Sequence, residues 1–253
     1  MRILALDATT EACSVALLDA QAPLDLDAPL AGGALTWRYE ELGKGHADRI
    51  LAMVDEVLGQ AGVRLAALDG IAASIGPGAF TGVRITVAVA QGLAFGAALP
   101  IVPVSTLEAL ALQAMLGEAA RRSHARGPGD APRVLACLDA RMSEVYWGCF
   151  APDALRGVRS TSAARVSAPS LMSLVDGLAH RGIGRGFSAY PELAGLAGLE
   201  LAPEDRQALP QAQAIARLGH LRLRAGDAKD PADIRPLYVR DKVALTEAER
   251  GVH

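Results

Sequence analysis

The sequence predicts an α/β protein built from two related halves, and three observations carry that prediction. Through residues 1–120, short apolar runs of strand length alternate with longer stretches of helical period. A unit of strand, acid, tight turn and strand occurs twice, as ILALD–ATTEACS–VALL at the start and VLACLD–ARMSE–VYWGCF in the middle. Between the two copies lies Arg121–Arg133, basic and rich in Gly and Pro, which reads as a loop or linker. The repetition suggests two halves derived from one ancestral domain, with a boundary near Pro128 and halves of 1–120 and 121–253. The competing explanation is a coincidence between two hairpins.

Each element has its own justification. Arg2–Asp7 alternates in β fashion, and the turn Ala8–Ala12 leads into a second apolar run, Cys13–Leu18, so the pair reads as a hairpin. After a stretch containing Pro and Gly (Pro23–Gly33), Ala34–Glu40 reads as a third strand. His46–Gln60 carries Ile50, Val54, Val57 and Leu58 at i, i+4, i+7 and i+8, widened by Leu51 and Met53, which predicts an amphipathic helix. Gly70–Ile75 is a short buried strand that ends at Gly76-Pro77-Gly78, a turn made of flexible and pre-bent residues.

Val83–Ala98 reads as a helix with no charge beyond Arg84, so it needs cover from the core or from another subunit. Pro100–Val104 is a strand, and Ser105-Thr106-Leu107-Glu108 has the spacing of a capping box opening a helix to about Leu116. In the second half, Ser170–Ala179 and Gln211–Ala225 read as helices. Gly182-Ile183-Gly184-Arg185-Gly186 reads as a glycine-rich loop, and Leu237-Tyr238-Val239 is an isolated apolar run.

Bulk properties narrow the function. An apolar fraction of 51% fits a folded chain, and a net charge of -3 leaves no global electrostatic footprint for nucleic acid. An RNA role would need a local basic patch, for which Arg121–Arg133 is the candidate, or a partner that binds the RNA. Asp7 and Glu11 interrupt any signal-peptide core, and Ile85–Ile101 is too short and punctuated for a membrane span. Cys13, Cys137 and Cys149, odd in number and without a CxxC pair, read as reduced core thiols of a cytoplasmic protein.

The candidate chemistry is sparse. There is no GxxxxGK[ST] and no dinucleotide fingerprint, and no two of the five histidines share HxxxH spacing, so no metal site is expected. Asp7 followed by Thr9 and Thr10 has the shape of a phosphate loop in actin-like ATPases. The Cβ of Ala8 and the carboxylate of Glu11 favour instead a hairpin turn whose hydroxyls satisfy local backbone. Gly76, Gly78, Thr81 and Arg84 form either an anion cradle at a helix N-terminus or a rigid turn in which Arg84 pairs an acid. Gly182–Gly186 would face a nucleotide across the cleft or form an ordinary loop. Asp139 and Arg141 would fix the second hairpin by an ion pair, and His46 reads as a capping or surface histidine.

ILALDATTEACSVALL and SIGPGAFTGVRITVAVAQGLAFGAALPIVPVSTLEALA closely resemble the TsaB (YeaZ) family, as do LACLDARMSEVYWGCF and the tail near PLYVRD. The resemblance runs over nearly the whole chain and is loose between Gly157 and Arg206. It implies an actin-like (ASKHA, ribonuclease H-like) duplicated, two-lobed α/β fold. It also implies a non-catalytic partner of the TsaD transferase and the TsaE ATPase in making N6-threonylcarbamoyladenosine beside the tRNA anticodon. Transferases of the TsaD type carry H-H-M-E-G-H, whose HxxxH pair binds metal; here Thr106 and Leu110 stand at those positions, and Leu110 cannot ligate. Neither a cofactor nor peptidase activity is therefore expected, although a vestigial nucleotide site is left open, and tRNA is reached only through the complex. Ile50, Met53, Val54, Val57, Ile85, Val89 and Leu93 are the expected interface with TsaD, or with a second copy as a homodimer in isolation. The rival reading is an actin-like ATPase or phosphotransferase with its own nucleotide site.

Overall fold

The computed structural model describes residues 1–21, 33–121, 133–174 and 180–240, with side chains of 118–121 excepted. Its strands form two sheets of the same design. In the first, β1 (Arg2–Asp7), β2 (Ala12–Ala20), β3 (Gly33–Glu41), β4 (Gly70–Ser74) and β5 (Ile101–Val104) lie in the order β3-β2-β1-β4-β5. In the second, β6 (Arg133–Arg141), β7 (Glu144–Asp153), β8 (Gly157–Ser160), β10 (His180–Ile183) and β11 (Leu199–Glu200) lie in the order β8-β7-β6-β10-β11, with β9 (Arg165–Ser167) also pairing β7.

Directions match as well. β1 and β6 each run antiparallel to the strand that follows them and parallel to β4 and β10 respectively. The recurrence of strand order and direction is much harder to reach by chance than two similar hairpins, so the twofold design is a property of the whole fold. The expected boundary near Pro128 and the basic segment around it fall outside the described residues.

Helices exchange between the lobes. α1 (His46–Ala61) and α2 (Phe80–Ala97) cover one face of the first sheet. α3 (Thr106–Arg121) follows the first sheet yet packs on β6, β7, β8 and β10, whereas α5 (Ala212–Arg224) follows the second and packs on β1, β2, β4 and β5. α3 and α5 also touch each other, so Leu107, Leu110 and Leu112 share one continuous core with Ile215 and Leu218. Polar ties fix the exchange. Gln113 donates to the Leu209 carbonyl at 3.0 Å and accepts from the Gln211 amide at 2.9 Å, and Ser14 Oγ of β2 accepts from the Ala212 amide at the start of α5 at 2.9 Å.

Several local expectations change. α2 begins at Phe80 rather than Val83 and is, by length and composition, apolar enough to cross a membrane. Its inner face (Val83, Val87, Ala90 and Ala94) is buried in the first lobe's core. In the box opening α3, Glu108 accepts from the Ser105 amide at 3.0 Å, but no hydrogen bond runs from the Ser105 hydroxyl to the helix. Pro169–Leu171 is a single 3₁₀ turn and 172–174 is irregular, so no helix opens at Ser170; the remainder of that stretch, 175–179, lies outside the described residues. Gly182 and Ile183 belong to β10, and a short helix, α4 (Gly186–Ala189), follows.

Candidate functional site

The two hairpin turns meet at the cleft between the lobes, where a cavity of about 660 Å³ opens. Its walls come from the β1–β2 turn (Ala8–Glu11), the start of α1 (Gly43–Ala47), the loop into α2 (Pro77–Val83), the β6–β7 turn (Leu138–Arg141) and residues 237–240.

The turn after β1 is tightly engaged with its own chain. Asp7 is fully buried, and Oδ1 accepts from Thr9 Oγ1 at 2.7 Å and from the Thr9 amide at 3.3 Å. Ser74 also lies against this carboxyl, but Oδ2 makes no well-formed hydrogen bond. Burial pushes the Asp7 carboxyl up to about 6, more strongly than the Thr9 and Ser74 contacts pull it down. Thr9 Oγ1 accepts from Thr106 Oγ1 at 3.3 Å, and Thr106 Oγ1 lies 3.0 Å from Ser74 Oγ.

This geometry decides between the two readings of Asp7, Thr9 and Thr10. A phosphate loop needs backbone N–H groups aimed outward. Here the Ala8 amide donates to Thr86 Oγ1 at 3.0 Å, the Thr9 amide to Asp7, and the Thr9 carbonyl accepts from the Ala79 amide at 2.7 Å. The glycines press on the same backbone. A Cβ at Gly78 would lie 2.2 Å from the Thr9 carbonyl oxygen, and one at Gly82 2.0 Å from that of Ala8. Gly76, at φ +109, would bring a Cβ to 3.0 Å from the Leu237 carbonyl oxygen. Gly78 and Gly82 serve close packing of the loop onto the turn, and Gly76 close packing against residue 237, not space for a ligand. The residues present do not fit a polyphosphate.

The remaining expected residues divide. Thr10 and Thr81 line the cavity, and Thr10 Oγ1 accepts from the Ala12 amide at 3.4 Å. Among the described residues, Arg84 pairs no acid. Its guanidinium stacks 3.7 Å from the Phe80 ring centroid and donates to the Tyr238 hydroxyl at 2.9 Å. In the second lobe the Asp139–Arg141 pair forms as expected, at 3.1 Å, and Arg141 also reaches Glu11 of the first lobe at 2.8 Å. Gly184 and Gly186 do not face the cleft. Each presses on Cys137, with a Cβ at Gly184 falling 2.1 Å from the Cys137 carbonyl oxygen. His46 opens α1 and lines the cavity.

Sequence reasoning missed the strap formed by residues 237–240. The Leu237 amide donates to the Ile75 carbonyl at 2.7 Å, Tyr238 lies beside Phe80, and Arg240 crosses to the second lobe to meet Glu144 and the Ala140 carbonyl. Its only signal was the apolar run Leu237–Val239 after a proline.

The candidate interface residues also divide. Ile50, Met53, Val54 and Val57 are almost wholly buried in the first lobe's core, because the α1 stripe faces β2 rather than solvent. They are unavailable to a partner. Ile85, Val89 and Leu93 of α2 are half-buried, flanked by exposed Ala88, Gly92, Phe95 and Gly96. Thr106 and Leu110, at the start of α3, are fully buried, the first in the Thr9–Ser74 cluster and the second in the shared core.

Comparison with known proteins fits this architecture. A family profile described as TsaD, tRNA N6-adenosine threonylcarbamoyltransferase, matches residues 40–165. A tRNA threonylcarbamoyladenosine biosynthesis protein TsaB of Escherichia coli (strain K12) is 35% identical over 96% of this chain and 96% of its own. Its counterpart in Haemophilus influenzae is 34% identical over 96% and 95%. The solved structure of YeaZ from Pseudomonas aeruginosa superposes with a TM-score of 0.75 at 35% identity, covering 94% of this chain and 99% of that one. With the duplicated sheets, the exchanged helices and relatives matched end to end, the chain belongs to the TsaB family of tRNA threonylcarbamoyladenosine biosynthesis proteins.

Proposed function

We propose that this chain is a non-catalytic partner subunit in the cytoplasmic synthesis of N6-threonylcarbamoyladenosine on tRNA, pairing with a transferase of the TsaD type, with a TsaE-type ATPase joining the pair. The observation that carries the non-catalytic reading is the start of α3. There Thr106 is held by Thr9 and Ser74, and Leu110 is core, at the positions where the transferases carry their histidine pair. A threonine and a leucine sealed from solvent supply no ligand set, and the engaged turn at Ala8–Thr9 supplies no phosphate cradle. With no nucleophile and base in hydrogen-bond reach among the described residues of the cavity, a peptidase reading has no support either.

The outer face of α2, in the lobe spanning 1–120, is the proposed contact with the transferase, or with a second copy when the transferase is absent. Phe95 is 60% exposed there, and a Cβ at Gly92 or Gly96 would meet nothing within 4 Å in this chain. Their smallness therefore has no explanation inside the monomer, whereas a second helix would gain close approach from it. Ile85, Val89 and Leu93 remain in the proposed contact, with Ala88 and Phe95 in place of the α1 residues. The C-terminal lobe, 121–253, would then act by holding the first lobe's sheet through α5.

The test is reconstitution of tRNA threonylcarbamoylation with and without this chain. Product forming equally well without it sinks the partner role. Ala88→Asp is expected to abolish pairing while preserving the circular dichroism of the monomer; undiminished pairing removes α2 from the interface. Turnover on adding ATP and Mg²⁺ to the isolated chain would revive the ATPase reading.

A further inference from the structure

The interlobe cavity measures about 660 Å³, within the roughly 300–1,000 Å³ typical of small-molecule sites, and pairing through α2 leaves it without a role. Only 4% of the chain is aromatic, yet three of its ten aromatic residues line this one cavity. They come from three separate segments. Phe80 opens α2, Tyr146 stands on β7 of the second lobe, and Tyr238 belongs to the strap. Phe80 and Tyr238 are about half exposed (48% and 51%), with ring centroids 6.0 Å apart and planes tilted by 30°. Rings left half-open on a cavity wall, rather than packed in the core, offer faces and edges to a planar ligand.

The wall carries no surplus charge. Glu11 and Asp139 are matched in number by Arg141 and Lys44, and Glu144 holds Arg240. An ionic ligand would enter between apolar and aromatic surfaces without an unmatched counter-charge, so the loss of its hydration would go uncompensated. A neutral ligand meets no such penalty. The hydroxyls of Thr81 and Tyr146, both residues of the wall, have no hydrogen-bond partner among the described residues and can orient one or two polar atoms.

We infer that the cavity binds an uncharged, planar, largely apolar small molecule: a single or fused aromatic ring with one or two hydrogen-bonding atoms, held among Phe80, Tyr146 and Tyr238. The strap assembles this site. Its Tyr238 lies beside Phe80 of the first lobe, and its Arg240 guanidinium stands 5.9 Å from the Tyr146 ring centroid in the second. Binding of this kind is independent of pairing with a transferase and is read on the isolated chain.

The experiment titrates the full chain with N-phenyl-1-naphthylamine, an uncharged ring probe that brightens on leaving water, and then displaces it with three indoles. Indole itself is expected to displace the probe. Tryptamine and indole-3-acetate, which add one positive or one negative charge to the same ring, should each be weaker by about tenfold or more. Phe80→Ala, Tyr146→Ala and Tyr238→Ala should each weaken indole about two- to tenfold, and Tyr146→Phe, which keeps the ring, should lose less. Ala47→Trp, at an exposed position of α1 on the cavity wall, should fill the space and abolish binding. Leu171→Ala, an exposed apolar residue outside the cavity, should change nothing. Failure of indole to displace the probe overturns the proposal, as does a charged indole that competes as well as the neutral one. Equal loss on Leu171→Ala, or full binding by an Ala47→Trp variant of unchanged fold, overturns it too. A Gly-Trp-Gly peptide blocked at both ends that binds where free indole does not would replace it with a site for a protein side chain.

Discussion

The two hairpin units share a pattern and a place in their sheets, yet their acids meet opposite surroundings. Asp7 ends β1 fully buried, closed onto its own turn by Thr9 and roofed by Ala79 and Gly82 of the loop into α2. Asp139, near the end of β6, stays partly exposed and is held by the Arg141 amide at 2.8 Å and by the Arg141 guanidinium. The difference follows from what comes next along the chain. The first lobe sends a glycine-rich loop and an 18-residue helix across its strand ends, whereas the second sends only α4, four residues long. A repeated strand unit thus fixes where an acid stands, and the connecting segment fixes how deeply it is buried.

The glycines that press on each central strand give the largest expected effects. Gly82→Ala and Gly184→Ala drive a Cβ onto a carbonyl oxygen, and Gly184 is at φ +118 besides, so each should cost more than about 3 kcal/mol by chemical denaturation. Gly92→Ala, with open space around its Cβ on a helix, should instead stabilise the monomer by about 0.5–1 kcal/mol. A tolerated Gly184→Ala would break the parallel between the lobes.

His220 sharpens the comparison from the exchanged helix. It is fully buried on α5, neither ring nitrogen has a hydrogen-bond partner, and burial, with Arg224 and the chain's amino terminus, lowers its pKa to about 4. The unfolded chain takes up a proton near 6.5 that the folded chain refuses until about 4. Stability contributed by the neutral ring is therefore present above 6.5 and lost as pH falls toward 4, on the order of 2 kcal/mol. His220→Leu should flatten that acid limb in melting profiles.

Asp7 acts with the opposite sign. Its folded pKa of about 6 exceeds the ordinary 3.8, so the folded chain is favoured below 3.8 and loses that advantage as pH rises through 6. Asp7→Asn should gain stability relative to wild type between pH 4 and pH 7, on the order of 2 kcal/mol. A difference that stays flat over that range would mean that burial does not raise the Asp7 carboxyl. The smallest effect belongs to Glu11→Gln, which opens the bridge between the turns at Arg141. Both side chains are solvent-exposed, and the loss should stay within about 1 kcal/mol.

Much of this was legible in residue order. Alternation gave β1, short apolar runs gave β2 and β4, the repeated strand–acid–turn–strand unit gave β6 and β7, helical period gave α1, and the capping-box spacing at Ser105–Glu108 gave the start of α3. The short elements, β8, β9, β11 and α4, were not legible, because two to four residues are too few for a period to show. Apolarity marked the surfaces in need of cover only in part. The α1 stripe and the α2 helix look equally in need of cover, and only their packing shows that α1 is satisfied by β2 while α2 is buried on one side.

The sequence by itself determined the family, the twofold design and the threonine and leucine at 106 and 110, because these reside in side-chain identity and local spacing. Tertiary structure alone decided that α3 and α5 trade lobes, that the Asp7 turn is sealed by Gly78 and Gly82, and that residues 237–240 cross the cleft to the second lobe. Each of these joins residues tens to hundreds of positions apart, such as Ala8 with Thr86, Ser14 with Ala212 and Ala140 with Arg240. Local propensity carries no information about such pairs, since burial and long-range hydrogen bonds select them only once both sheets exist.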